Sequence, residues 1–268
     1  NKKRNGKGKE YNIQSKLIFE GEYKYGDRWN GMGYDEQNNI IYELQNGNGI
    51  IKEFHDNGKL KLESEYLNGK RNGKIKEYHT NGKLKFEGEY LNGEVKGKGK
   101  EYYSNGELKF EGEYLYYFRL KGRAYIEGSL EYEGDYLYGE KWNGKGYDKN
   151  GNIIYEINNG KGMIKEYRFG ILKFEGEYLN GKRNGLGKEY DLDSKLEFEG
   201  VYLNRKRNGI GKEYYNGNLE FEGYYLNDKR NGIGKEYNSK GEILFEGEYK
   251  NGDKWNGKGY DGQNNIIY

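Results

Sequence analysis

Side chains that could carry out chemistry recur along the sequence at regular intervals. Glu20 and Glu22 stand two residues apart, and paired carboxylates of this kind can act in general acid–base catalysis. The pair returns throughout the chain, with lysines such as Lys9 placed to lie across a neighbouring strand, which favours a solvated ladder of Glu and Lys. His55 and His79 each follow an aromatic residue just before a turn, without a nucleophile or metal-ligand spacing around them. We therefore predict that the protein is not an enzyme and has no catalytic residues, metal site or cofactor.

Basic residues provide the first candidate binding site. They cluster in the same short loop of three consecutive repeats, and the loops of neighbouring repeats would lie about 10 Å apart along one edge of a sheet. That spacing suits phosphates or anionic lipid headgroups. Alternatively, these loops bind nothing, and their charges keep the protein soluble and prevent aggregation through exposed strand edges. The candidate anionic-ligand edge comprises Lys182, Arg183, Arg205, Lys206, Arg207, Lys229 and Arg230.

An aromatic cluster provides the second candidate. Tyr116, Tyr117 and Phe118 stand where other repeats carry a polar Leu-Asn-Gly-Lys loop. Exposed aromatic side chains often anchor a protein partner. We therefore predict partner contacts at these three residues, with local packing as the alternative.

The composition limits both the fold and the function. The 268 residues contain 45 Gly and 31 Tyr but no Cys and no Pro, so a disulfide scaffold or a Cys-ligated metal site is excluded. Lys and Arg number 46 against 44 Asp and Glu, which argues against a general nucleic-acid binder with its strong basic excess. No apolar run approaches the roughly 20 residues of a membrane-spanning helix. Because aliphatic residues are scarce, we expect a thin structure rather than a thick two-layer core.

One motif, aromatic-Glu-Gly-x-Tyr, recurs with a mean spacing of about 23 residues. The sequence also has a longer repeat, because Trp29, Trp142 and Trp255 recur at intervals of 113 residues within the same short motif. We predict that residues 1–268 form one continuous array of about twelve repeats of 22–24 residues, with a five-repeat super-repeat of 113 residues. We also expect this array to be part of a longer one, since both ends fall inside a repeat and repeat arrays normally carry polar capping units. The copies begin at Phe19, Phe86, Phe110, Tyr132, Phe174, Phe198, Phe221 and Phe245, with weaker copies at Tyr42, Leu62, Tyr155 and Tyr268.

Each repeat is typical of a β-hairpin. In Leu172–Tyr178 apolar and charged residues alternate with a period of two, Asn180-Gly181 supplies a turn, and Gly185–Tyr190 indicates the return strand. The recurring glycines predict room for Tyr and Phe rings from adjacent strands. Gly185, Gly187 and Tyr190 do not share one parity, so a bulge near Glu189 is expected. The predicted fold class is all-β, an elongated single-layer antiparallel array of β-hairpin repeats.

The stretch Phe174–Tyr190 resembles the membrane occupation and recognition nexus (MORN) repeat in its Tyr-rich variant, and the resemblance extends over the whole chain. It implies a solenoid-like ribbon that serves as a scaffolding or dimerising module. Tyr42–Phe54 and Tyr155–Tyr167 depart from the pattern because their first strand is shortened, and Leu115–Glu131 departs because Ala124 replaces a glycine. Local irregularities are predicted at these three places.

These observations predict a non-enzymatic structural repeat protein that mediates protein–protein interaction or self-association. One alternative is a peripheral tether that binds an anionic membrane surface through the basic residues. A second alternative is a carbohydrate-binding repeat array. No specific nucleic acid is expected as a partner, and the expected location is intracellular, at a membrane or the cytoskeleton.

Overall fold

The computed structural model describes residues 3–168, 170–261 and 265–267. Phe169 and the two ends of the predicted 1–268 array, including the weak repeat copy at Tyr268, lie outside these residues. The chain forms two compact units, Asn1–Gly128 and Ser129–Tyr268. The described residues form strands and turns without any helix, so none of them forms a helix that could cross a membrane.

In the first unit each strand pairs antiparallel with the next, from β1 to β4 and again from β5 to β11. The strands are β1 Gly6–Tyr11, β2 Leu17–Lys24, β3 Asp27–Tyr34, β4 Ile40–Leu44, β5 Gly49–Phe54, β6 Leu60–Leu67, β7 Lys70–Tyr78, β8 Leu84–Leu91, β9 Glu94–Tyr102, β10 Leu108–Leu115 and β11 Phe118–Ile126.

The second unit repeats this arrangement, with consecutive antiparallel pairing from β12 to β14 and from β15 to β23. Its strands are β12 Ser129–Leu137, β13 Glu140–Tyr147, β14 Ile153–Ile157, β15 Gly162–Arg168, β16 Ile171–Leu179, β17 Lys182–Tyr190, β18 Leu196–Leu203, β19 Lys206–Tyr215, β20 Asn218–Leu226, β21 Lys229–Tyr237, β22 Ile243–Lys250 and β23 Asp253–Gly259. The predicted all-β array of hairpin repeats is confirmed.

Two-residue turns close the hairpins as predicted. Asn180 and Gly181, between β16 and β17, have φ angles of 53° and 72°. Positive φ at both central residues gives the turn a twist that matches the twist of the flanking strands, which explains the preference for Asn-Gly. The expected bulge near Glu189 is also confirmed, because the register of β17 against β18 shifts between Glu189 and Tyr190.

A row of paired glycines runs across β16 to β23 and allows the strands to carry large rings. A Cβ atom at Gly200 would lie 2.6 Å from the Cα atom of Gly211 and 2.8 Å from the ring tip of Phe198, so only glycine fits there. The ring of Phe198 lies across this glycine pair and is fully buried. The glycine row comprises Gly176, Gly187, Gly200, Gly211, Gly223, Gly234, Gly247 and Gly257.

Tyrosines from neighbouring repeats complete this aromatic layer. The Tyr202 ring meets Phe198 of its own strand edge to face at 5.6 Å and meets Phe174 of the preceding repeat at 5.3 Å. Edge-to-face rings attract each other beyond the gain from burying their surface. The same pair of contacts recurs at Tyr225 and Tyr249, so each repeat is joined to the previous one. We call the face that carries these rings the inner face and the opposite one the outer face.

Where the first unit lacks glycines, its side chains change in a compensating way. Leu62 replaces the phenylalanine on β6, and Ile51 and Ile75 occupy the glycine positions on the strands beside it. All three are nearly inaccessible to solvent. A smaller side chain on the central strand therefore leaves space that larger neighbours fill, which preserves the packing density of the layer.

Two of the three predicted irregularities are breaks in strand pairing. The shortened strands β4 and β5 are joined by a two-residue turn and are not paired as neighbours in one sheet, and β14 and β15 repeat this arrangement. At the third place β10 and β11 remain paired, and Ala124 lies opposite Phe110 as Gly33 lies opposite Phe19.

The glycine row predicts a large effect of a single methyl group. Gly200→Ala should lower the free energy of unfolding by about 3 kcal/mol, because the methyl group would overlap the backbone of β19. Gly217→Ala is the matched control: it lies at a turn with a φ of 83° and nothing within 4 Å, so its cost is the strain of positive φ, about 1 kcal/mol. Urea unfolding of both variants measures the difference, and equal midpoints would contradict the close approach.

Candidate functional site

The seven basic residues of the predicted anionic-ligand edge divide into two groups in the structure. Arg183, Arg207 and Arg230 are the second residues of β17, β19 and β21, and their side chains lie on the inner face over phenylalanine rings. Lys182, Lys206 and Lys229 precede them at the hairpin turns, together with Arg205. The two groups therefore have different surroundings, although they are neighbours in sequence.

The arginines belong to an alternating row of ion pairs. The Arg207 guanidinium donates to Glu189 at 2.6 Å and to Glu213 at 3.2 Å, and its central carbon lies 4.1 Å from the centre of the Phe198 ring. Each carboxylate in turn contacts the cation of the next repeat, as Glu213 does with Arg230. We call this row the ion-pair ladder; in order it comprises Glu166, Arg183, Glu189, Arg207, Glu213, Arg230, Glu236 and Lys254.

The surroundings of Glu166 and Arg183 keep both side chains charged. Burial by itself would raise the pKa of Glu166, but the hydrogen bonds and charge of Arg183 outweigh it and hold the pKa below its usual range. Burial likewise opposes the charge of Arg183, and the same carboxylate raises the pKa of the guanidinium. The charges of these arginines are therefore matched within the fold, which makes them poor candidates for holding a phosphate.

The four turn residues are more accessible. Lys206 and Lys229 are exposed, Lys182 is half-buried, and Arg205 forms an ion pair with Glu140 while more than half of its side chain stays exposed. The exposed part of the predicted edge is therefore Arg205, Lys206 and Lys229, with Lys182 partly accessible beside them.

The aromatic cluster is largely exposed. Tyr116, Tyr117 and Phe118 retain 57%, 55% and 50% of their surface accessible to solvent. Tyr117 also packs locally, since its hydroxyl hydrogen-bonds with that of Tyr90 at 2.7 Å and the two rings meet edge to face at 5.8 Å. Tyr117 thus combines local packing with an accessible ring.

The outer face carries the expected ladder of Glu and Lys. Lys9 lies opposite Glu20 with a 3.1 Å ion pair, and Lys188 and Glu199 form a similar pair on β17 and β18. The hydroxyl of Tyr190 donates to Glu175 at 2.7 Å, and partial burial together with this bond raises the pKa of the tyrosine to about 12.

An apolar row on the outer face was not anticipated from the sequence. Leu186, Ile210 and Ile233, the middle residues of three consecutive Gly-x-Gly segments, are each about 60% exposed. Val201 lies opposite Leu186, and Tyr224 lies opposite Ile210. The outer apolar row therefore crosses five adjacent strands, β17 to β21. A signal for it exists in the sequence, because the equivalent positions in other repeats hold Lys74, Lys98 and Lys121.

The two histidines connect adjacent repeats. A ring nitrogen of His55 lies 2.9 Å from the carbonyl oxygen of Tyr78, and His79 makes the same contact with Tyr102. Among the residues that the structure describes, no group of three His, Asp or Glu side chains is placed to hold a metal ion.

The ion-pair ladder predicts unequal effects at adjacent basic residues. Arg207→Met should lower the free energy of unfolding by about 2 kcal/mol, because it leaves Glu189 and Glu213 without their shared partner in a mostly buried site. Lys206→Met, one residue earlier and exposed, should change it by less than about 0.5 kcal/mol. Chemical denaturation tests both variants, and a Lys206 variant as unstable as the Arg207 variant would contradict the assignment.

Comparison with known proteins supports the resemblance seen in the sequence. The MORN repeat variant family matches residues 47–68, 71–92, 96–116 and 230–251. No curated protein matches the chain. Two crystal structures, titled TcdB2-TccC3-Cdc42 and TcdB2-TccC3-TEV, align with 97% of this chain at 13% identity and a TM-score of 0.20. The chain spans only 14% of the length of each, and a TM-score this low does not establish a shared fold.

The four matched segments are the hairpins described above. Residues 47–68 include β5 and β6, and residues 230–251 include most of β21 and all of β22. Repeats of this family commonly act in binding and are generally not enzymatic. Four of the hairpins in this chain therefore match the MORN repeat variant family.

Proposed function

We propose that this protein is a non-enzymatic structural repeat protein that associates with a second copy of itself through the outer apolar row. The observation that carries the proposal is the run of five apolar side chains on adjacent strands, in positions where several other repeats carry lysine or glutamate. Contiguous apolar surface of this kind, bordered by charged residues, is typical of protein-binding sites.

The size of the row determines the expected affinity. Five strands at roughly 4.8 Å spacing give a row about 19 Å long. A stable interface buries about 800 Å² on each partner, and a single row of side chains provides less than that. We therefore expect a weak dimer that forms at high protein concentration.

A second copy suits this surface because the neighbouring charges are already neutralised. Lys188 pairs with Glu199 and Lys212 pairs with Glu222 on the outer face beside the row. The surface thus offers apolar contacts without a net charge that a partner must match. Two copies related by a twofold axis would place row against row, as in most homodimers.

The test replaces the apolar residues by the residue that other repeats use. Leu186→Lys, Ile210→Lys and Ile233→Lys, combined, preserve the fold because Lys74, Lys98 and Lys121 occupy the same position elsewhere. In sedimentation velocity from about 1 to 300 µM, the native chain should shift from monomer towards dimer, whereas the triple variant should remain a monomer.

The matched control changes three charges at the turns of the same repeats, as Lys182→Glu, Lys206→Glu and Lys229→Glu. This control variant should associate like the native chain. A native chain that is monomeric throughout the concentration range, or a lysine variant that still dimerises, would refute self-association through this row.

Binding to an anionic membrane surface is the alternative, supported by the accessible lysines of three adjacent repeats. Arg183, Arg207 and Arg230 should be left intact in its test, because changing them breaks the ion-pair ladder. If this alternative holds, the native chain co-sediments with vesicles that contain phosphatidylserine, and the Lys182, Lys206 and Lys229 variant loses binding, as the native chain does at high salt. Equal binding by both chains would contradict it.

Carbohydrate binding, the second alternative, stays a prediction. Exposed rings at turns, such as Tyr215, are the surface on which it would depend.

A further inference from the structure

One repeat of the first unit lacks the cation that its neighbours carry on the inner face. Arg71 lies opposite Tyr66 on the paired strand, and Arg119 lies opposite Tyr114 in the same way. In the repeat between them the residue opposite Tyr90 is Val95, which is 3% exposed. Val95 thus places a short apolar side chain where the two neighbouring repeats carry an arginine.

The regular repeats show what surrounds a guanidinium at this position. Arg207 on β19 lies over Phe198 of the strand before it, and its two carboxylate partners are Glu189 on β17 and Glu213 on β19. The site therefore consists of one ring face and two carboxylates, one from the preceding repeat and one from the same strand.

The same three groups are present around Val95. Phe86 supplies the ring, Glu77 on β7 corresponds to the carboxylate of the preceding repeat, and Glu101 on β9 corresponds to the carboxylate of the same strand. Together they line a cavity of about 200 Å³. The groups that hold an arginine elsewhere thus surround open space here.

Aromatic and basic residues line the rest of this cavity. Tyr102 and Tyr114 line it together with His79, Lys85 and Lys109, and Tyr117 forms a wall at a position where several other repeats carry a glycine, such as Gly69 or Gly181. The hydrogen bond between the hydroxyls of Tyr117 and Tyr90 holds this wall in place. The cavity therefore offers ring faces from Phe86 and Tyr117.

The carboxylates of the cavity are paired with residues that differ in accessibility. Glu101 is bound by Arg119 at 2.6 Å and by Lys109 at 3.5 Å, whereas Glu77 has a 3.5 Å ion pair with Lys85, whose side chain is about half exposed. An exposed lysine contributes little to such a pair and can leave it at small cost. Glu77 is thus the carboxylate on which an incoming cation would act.

We propose that the Val95 cavity binds the guanidinium of an arginine side chain presented by a partner protein. A planar guanidinium can stack on an aromatic ring while it donates to a carboxylate in its plane, which the compact ammonium of lysine does less well. The partner's arginine would complete the row of inner-face cations from outside the chain. This inference does not depend on self-association through the outer apolar row.

The experiment titrates the full chain with N-acetyl-arginine amide and follows the backbone amide signals of Val95 and Tyr117 by NMR. N-acetyl-citrulline amide, which has nearly the same shape without the charge, is the comparison ligand. The arginine compound should bind at least about tenfold more tightly, since a charge-assisted bond to Glu77 is lost with citrulline. Equal binding of the two compounds would overturn the proposal.

Three variants locate the site. Val95→Arg supplies the guanidinium from within and should abolish binding, and Tyr117→Gly, which restores the turn residue of other repeats, should weaken binding several-fold. Arg207→Val creates an equivalent position in the second unit and should add a second set of shifting signals near residue 207. If the Arg207→Val chain does not fold, the Val95→Arg variant alone tests the site. A Val95→Arg chain that binds the arginine compound as tightly as the native chain would refute the proposal.

Discussion

The close approach of glycine backbones on neighbouring strands is the constraint on which this structure depends. A phenylalanine ring can lie across two strands only if neither strand carries a side chain beneath it, as at Gly200 and Gly211. The buried ring then provides a surface for the tyrosine of the next repeat and for a guanidinium above it. A sheet with few aliphatic residues thus gains a buried layer one ring deep. Where the ring is replaced by Leu62, isoleucines take the glycine positions and the layer is kept by other means.

The repetition of this unit determines which residues remain available for binding. Because each arginine of the ion-pair ladder lies between two carboxylates, most inner-face charge is used within the fold. Partner contacts must then come from positions where the repeat departs from its own pattern. Two such departures stand out: the outer apolar row, where lysine and glutamate are replaced, and Val95, where a cation is replaced. At both places the other repeats show which residue the position usually holds. Each proposal can therefore be tested with a variant that restores that residue.

The hairpins, the Asn-Gly turns and the bulge near Glu189 were predictable, because strand alternation and turn chemistry are local in sequence. The role of glycine as a platform for rings was also predictable, from its recurrence beside Phe and Tyr. The division of the basic residues was not: Lys206 and Arg207 are adjacent, and only the register that pairs Tyr202 with Arg207 places the arginine over a ring. The outer apolar row was missed for a similar reason, since its successive members are 9 to 15 residues apart and become neighbours only through strand pairing.

Alkaline titration of the 31 tyrosines tests the aromatic layer most directly. Burial raises the pKa of Tyr202 and Tyr225 in the aromatic layer, and on the outer face burial and hydrogen bonds to glutamate raise the pKa of Tyr190, Tyr214 and Tyr237 to about 12. A raised tyrosine pKa stabilises the fold below pH 10, the usual tyrosine pKa, and this contribution is lost as the pH rises from about 10 through 12. Absorbance at about 295 nm should therefore show exposed tyrosines ionising near pH 10 and outer-face tyrosines near pH 12, whereas the tyrosines of the aromatic layer should ionise only as the β-sheet circular dichroism signal is lost. Ionisation of all tyrosines in one step near pH 10, with the sheet signal intact, would contradict the account.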